Sequence, residues 1–360
     1  MKKLWNAIKH RPLAILTLSL PLVILAEAFK WGDIWVFVLS AVAIIPMAQF
    51  IGEATEALAD YTGPRIGGLL NATLGNAAEL IITIMAIREG LLELVKASIA
   101  GSILGNLLLV MGLAMVFGGV RHGVQTFDHR QASRNAIILI LAVMALVIPS
   151  LFSHYLGSES SLRVESLSIG VAVIMLVIYG LGLLYSLKAE RQPTVEKHSG
   201  DDLHIPAWSV RKSLVVLALA TGGVVIASEL LVSAVEPIVV SLGISEFFMG
   251  IILIPIIGNV AEHLVAVKVA LQNRMDLSVE ITVASSLQIA LFVAPVLVFI
   301  SLLMGNPMQL IFNELELIAL IAGVIIAAMI SEDGESNWLE GSELLAVYII
   351  LALAFFLLPV

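Results

Sequence analysis

Apolar runs follow one another from Pro12 to the C-terminus, separated by short clusters of charge, proline and glycine. A run of about 20 residues wound as helix matches the hydrocarbon thickness of a bilayer. Eleven such segments are predicted, at 12–29, 33–59, 65–88, 94–118, 134–153, 165–187, 211–235, 245–271, 278–304, 313–330 and 342–359. The longest polar connection, Lys188 to Lys212, carries Glu190, Glu196, His198, Asp201, Asp202 and His204. It divides the chain into an N-terminal helix (1–30), a first five-helix repeat (31–188), a linker (189–210) and a second five-helix repeat (211–360). An odd number of crossings per repeat inverts the second copy, the pattern in which transporters bind substrate near the midplane. The expected fold is an all-α polytopic membrane protein.

Internal repetition supports that division. Gly75-Asn76-Ala77-Ala78-Glu79 returns as Gly258-Asn259-Val260-Ala261-Glu262, 183 positions later. The same offset carries Ser102 to Ser285 and Glu53 to Glu236. A carboxylate deep in a membrane helix is costly and marks a functional site by default. Two in a repeated frame point to one site built from both halves.

Composition agrees. The chain is 59% hydrophobic and 13% charged, with a mean hydropathy of +1.03, against about 25% charged residues in a soluble domain. Without cysteine there is no disulfide, thiolate metal site or cysteine nucleophile. A net charge of -9 disfavours nucleic acid and mildly favours cations near the surface. With the N-terminus in the cytoplasm, all but Lys30, Arg88, Lys96 and Arg163 of the 19 Lys and Arg lie inside, as the positive-inside rule asks. The acidic stretch Ser331–Glu340 is also inside in this topology, and acidic residues weigh little in that rule. The basic start and Ala26-Glu27-Ala28 imitate a signal peptide. The run from Pro12 to Phe29 exceeds a usual signal core, so it reads as an uncleaved first helix.

Candidate ligands gather in four helices. Asn76 and Glu79 stand three apart, and Thr73 and Thr83 extend their face. Asn259 and Glu262 repeat that spacing, one turn after Pro255. Ser98, Ser102 and Asn106 form one stripe, and Ser285, Ser286 and Gln288 cluster in the ninth segment. Helices with Gly or Pro at mid-membrane can break and free carbonyls for a cation. All these side-chain donors are hard oxygens, which suit Ca²⁺. For the serines and Asn106 close helix packing competes with ligation. Two roles stay open for His263, an interhelical hydrogen bond and a proton relay. Glu53, Glu56, Glu229 and Glu236 are either vestibule carboxylates or solvated ones at helix ends. Ser331-Glu332-Asp333-Gly334-Glu335 lacks an EF-hand ligand pattern and reads as a turn.

With these residues in view, the chain resembles the cation/proton exchanger family of the Ca²⁺/cation antiporter superfamily. The carrying segments are Leu69–Gly112, with GNAAE and the downstream GSILGN, and Gly250–Val298, with GNVAEH and the downstream SSLQIALF. The resemblance implies that Glu79 and Glu262 bind Ca²⁺, with oxygens near Asn76, Asn259, Ser102, Ser285 and Gln288. Asn106 and Ser286 then stand behind them. It also implies exchange for protons, His263 matching the family's EH pair, and association as homotrimers. The short N-terminal tail and modest linker point to a prokaryotic plasma membrane rather than a vacuole.

Burial disfavours a carboxylate's charge unless something compensates it. Glu79 and Glu262 are therefore expected to hold either one Ca²⁺ or protons, giving an antiporter working by alternating access. No cofactor is expected; Ca²⁺ is the transported substrate, the lipid bilayer the medium, and nucleic acid no partner. The alternatives are the same fold using Na⁺ or carrying Mn²⁺, Na⁺ or K⁺, a channel, and remotely an intramembrane enzyme built on His263 and Ser285. No nucleophile motif surrounds either serine, so an enzyme is not the expectation.

Overall fold

The computed structural model describes residues 12–157, 161–189 and 208–358. Met1 to Arg11 and most of the linker, with its histidines, lie outside the described residues. Eight helical runs among the described residues are long and apolar enough to cross a membrane alone. The first, third and tenth predicted spans are shorter or broken helices. The chain forms one N-terminal helix and two inverted five-helix repeats.

The first span is a 3₁₀ run, Pro12–Leu18, continued by α1 (Ser19–Ala28). The predicted second and third spans join in α2 (Asp33–Leu74), helical throughout its 42 residues. Its winding does not mean that it is straight. A Cβ on Gly67 would come 2.8 Å from the Ala59 Cβ, where a straight helix holds residues eight apart at about 12 Å. The expected boundary at 59–65 is thus a sharp fold that keeps helical winding.

The third span ends as α3 (Ala77–Arg88), after a non-helical turn at Gly75-Asn76. The fourth is α4 (Leu92–Leu104), a π-helical stretch Gly105–Val110, and α5 (Met111–His122). Then come α6 (His129–Leu156) and α7 (Leu162–Ala189). The second repeat opens with α8 (Val210–Ser233) and α9 (Val235–Leu242). Its site span begins with a helical turn Glu246–Phe248 and a π stretch Met249–Leu253, followed by α10 (Ile254–Ala270). The ninth span is α11 (Met275–Gln288), π-helical Ile289–Val293, and α12 (Ala294–Leu303). Helices α13 (Glu314–Ile330) and α14 (Trp338–Phe356) close the chain, each started by an asparagine capping box. A two-residue ribbon pairs β1 (Gln125–Thr126) with β2 (Glu335–Ser336) and ties the turn at Ser331–Glu335 to the loop after α5.

Lipid offers no hydrophobic drive for helix association, so close packing through small residues has to hold the bundle. The tightest crossing is between the repeats. A Cβ on Gly101 would lie 2.0 Å from the Ile251 carbonyl oxygen, and one on Gly250 2.7 Å from the Ala97 Cβ. Glycine at both positions presses α4 against the start of the eighth span, beside the site.

Candidate functional site

The broken third span places Asn76 and Glu79 at a helix start. Asn76 occupies the position before the first turn of α3, yet its side chain caps no backbone N–H. That side chain is drawn into the site instead. Its Nδ2 donates to Gln288 Oε1 at 2.6 Å and its Oδ1 accepts from Ser285 Oγ at 3.4 Å. Glu79 lies in the first turn, at the positive end of the helix dipole, where the leading N–H groups have no intrahelical partners.

The two repeats interlock through their serines. Ser102 Oγ hydrogen-bonds the Glu79 carboxylate of its own repeat and accepts from Asn259 Nδ2 of the other at 3.2 Å. Ser285 Oγ donates to Glu262 Oε2 of its own repeat at 2.8 Å and reaches Asn76 of the other. Each serine therefore joins its own glutamate to the opposite asparagine. Asn106 Nδ2 adds a bond to Ser285 Oγ at 3.0 Å. Helix α10 passes close to α3 at Gly258, where a Cβ would rest in ordinary contact, 3.5 Å from the Glu79 Cβ.

Glu79, Ser102, Asn259, Asn76, Ser285, Asn106, Gln288 and Glu262 thus meet at one place between α3, α4, α10 and α11. Glu79 is 1% exposed and its Oε2 has no hydrogen-bond partner; Glu262 and His263 are half-buried. His263 Nε2 is shielded and unpartnered, outside the serine bridges. Ser286 bonds the Thr282 carbonyl of its own helix at 2.9 Å, and Ser98 Oγ makes no hydrogen bond. Thr83 bonds back to the Glu79 carbonyl at 2.9 Å. Among the described residues no cluster of three or more His, Cys, Asp or Glu could hold a metal. A cation here would depend on two carboxylates supplemented by amide and hydroxyl oxygens, a donor set that suits hard Ca²⁺.

The four outlying glutamates are not part of this cluster. Glu53 accepts from Gln49 Nε2 at 2.9 Å on its own helix, and Glu56 is exposed. Glu229 pairs with Arg88 Nη2 at 2.6 Å, which links the end of α3 to α8, and Glu236 is exposed in the first turn of α9. Sequence reasoning passed over two buried charged side chains. Glu316 is fully buried in the capping box of α13, and Lys96 is 7% exposed beside Glu93 Oε1 at 2.5 Å. An Asn-x-x-Glu capping signature before an apolar run was the available signal for Glu316.

The chain is similar to known proteins along almost its whole length. The profile of the family described as "Sodium/calcium exchanger protein" matches residues 32–188 and 212–357. The chain is 46% identical over 363 residues to a protein named Ca²⁺/H⁺ antiporter from Aphanothece halophytica, covering 96% of each. It is 44% identical over 344 residues to the Ca²⁺/H⁺ antiporter ChaA of Bacillus subtilis, covering 94% of this chain and 97% of that one. The solved structure of native YfkE superposes with a TM-score of 0.84 at 41% identity, covering 97% of this chain and all of that one.

Proposed function

The chain belongs to the sodium/calcium exchanger protein family, and from that premise we propose that it exchanges Ca²⁺ for protons at one site shared by its two repeats. Relatives named Ca²⁺/H⁺ antiporter along almost the whole chain support the substrates. The observation that carries the site is the pair of serine bridges, each joining one repeat's glutamate to the other's asparagine. A movement that parts the repeats at the site itself breaks both, which couples ligation to conformation.

In this reading Ca²⁺ is held by Glu79 and Glu262, with Asn76, Asn259, Ser102, Ser285 and Gln288 supplying neutral oxygens. Removal of the ion leaves two carboxylates out of water, and protons then neutralise them. The site holds the ion or the protons, and the exchange at the two glutamates is electroneutral. A third proton carried elsewhere, on Glu53 or on His263, whose Nε2 has no hydrogen-bond partner, would make the cycle electrogenic. The repeats 31–188 and 211–360 rock about the site, and the proton gradient drives Ca²⁺ out without a cofactor. Glu53, Glu56 and Glu236 line the approaches, and Glu229 joins them when Arg88 releases it. The reading places the chain in a prokaryotic plasma membrane with the N-terminus in the cytoplasm, the orientation that the distribution of Lys and Arg favours.

The test is Ca²⁺ uptake into inside-out vesicles under an imposed proton gradient, wild type beside Glu262→Gln. Uptake abolished by a protonophore and absent from the variant is expected. Uptake that ignores protons and follows a Na⁺ gradient would keep the site and overturn the coupling ion.

A further inference from the structure

The two site helices end in matching caps. Helix α3 closes at Gly90 (φ +80°), with Gly90 N–H donating to the Ile87 carbonyl and Leu91 N–H to the Ala86 carbonyl. Helix α10 closes at Asn273 (φ +61°), with Asn273 N–H donating to the Ala270 carbonyl and Arg274 N–H to the Val269 carbonyl. All four donor and acceptor positions obey the 183 offset. Both ends are left-handed C-caps that satisfy carbonyls orphaned by the helix terminus.

Each cap leaves a second lone pair on its carbonyl, and the opposite repeat takes it. Asn306 Nδ2, in the loop after α12, donates to the Ile87 carbonyl at 2.9 Å. Gln125 Nε2, in the loop after α5, donates to the Ala270 carbonyl at 3.0 Å and to Asn273 Oδ1 at 3.0 Å. Five spans separate Gln125 from Asn306, so the two contacts lie at opposite membrane faces. Gln125 is 3% exposed and packs against Gly118, where a Cβ would stand 2.0 Å from Gln125 Oε1 and displace it. Each contact has an exposed companion, His122 Nε2 on the Leu271 carbonyl at 2.9 Å and Arg88 on Glu229 at 2.6 Å.

We propose that Gln125 and Asn306 are positioning residues, a matched pair of carboxamide latches. Each fastens one site helix to the opposite repeat at one face, and alternating access releases one latch at a time. Both are closed in this structure. Opening at either face parts a site helix from the opposite repeat there, which breaks that face's latch and leaves the other as the pivot. The inference rests on the exchange reading for its role in transport, but the latch can be tested without transport.

The chain has no cysteine, so spin labels can be placed cleanly. One labelled pair is Val124→Cys with Gln272→Cys, across the Gln125 latch; the other is Glu89→Cys with Leu303→Cys, across the Asn306 latch. All four positions are exposed. In Gln125→Leu the separated population of the first pair is expected to rise about twentyfold, the equivalent of the two hydrogen bonds that Gln125 donates, while the second pair stays closed. Asn306→Leu is expected to do the reverse, and the double variant to loosen both. Gln125→Glu and Asn306→Asp keep the volume and remove the donor; they carry the test if a leucine variant does not fold. Both single variants disturbing the same pair, or neither disturbing its own, would overturn the latch. In oriented vesicles apparent Ca²⁺ affinity should rise at the released face and fall at the other. Opposite distance shifts in a protein that moves no Ca²⁺ would keep the latch and reject the exchange reading.

Discussion

The two halves of the site start from one motif and differ in three places. In the first repeat the helix stops at Gly75-Asn76 and restarts, so Glu79 sits in a first turn. In the second, α10 runs unbroken through Gly258-Asn259 and Glu262 sits in mid-helix. The irregularity has moved ahead of Pro255, into the π stretch Met249–Leu253. Glu79 is sealed while Glu262 keeps some exposure. The supplementary amides are unequal too: Asn106 corresponds to Ile289, and Gln288 to Gly105. Both amides serve the bridge to Glu262, one through Ser285 and the other through Asn76. The shared skeleton builds a site between the repeats. The unequal amides add hydrogen bonds on the side of the more open glutamate.

The largest effects should fall on what the halves share. Glu79→Gln and Glu262→Gln should each reduce Ca²⁺/proton exchange to background in vesicles while leaving the protein folded. Retention of full exchange by either would break the equivalence of the two carboxylates. Next is the crossing between the repeats. Gly101→Ala drives a methyl into the Ile251 carbonyl, whereas the corresponding residue of the second repeat is already Ala284. Overpacking of this kind costs about 1–3 kcal/mol or more. A clear fall in thermal stability is expected for Gly101→Ala, and a smaller one, of about 0.5–1 kcal/mol from added backbone freedom, for Ala284→Gly.

The unequal amides sharpen the comparison further. Gln288→Leu leaves the Asn76 amide without its acceptor in a buried place, a loss of about 1–3 kcal/mol. Apparent Ca²⁺ affinity should fall about tenfold, which direct binding would read. Asn106→Leu removes one of the contacts on Ser285 and leaves its bond to Glu262, so a drop of about two- to fivefold is expected. The smallest effect belongs to the exposed Arg88–Glu229 pair, about half side-chain exposed on both partners. Exposed pairs contribute roughly 0–1 kcal/mol, so Glu229→Gln should alter exchange by less than about fivefold, and the difference should vanish in high salt.

Much of this was legible because buried charge is rare and repeats leave a constant offset. Glu79, Glu262 and the two serines 23 residues beyond them can be found by counting, and the family resemblance drawn from those segments is borne out by the profile match. Other features were not legible for physical reasons. Gly-Asn occurs at both site helices, yet only the first one breaks there, because packing decides what propensity leaves open. The bend between Ala59 and Gly67 reads as a loop, since glycine, proline and charge mark turns and helix folds alike. Gln125 and Asn306 stand in short loops, where no periodicity points to a partner. Lys96 and Glu316 lie at span ends, where charge is expected to meet water and instead is covered by neighbouring helices.

The central claim is that one ion and the protons compete for carboxylates from both repeats. Its most direct test is proton release on Ca²⁺ binding, followed with a pH indicator in weakly buffered detergent solution at a pH where the empty site is protonated. The account predicts two protons released per Ca²⁺ bound, and neither binding nor release in Glu79→Gln or Glu262→Gln. Ca²⁺ binding that releases no protons, or that survives unchanged in either variant, would contradict it.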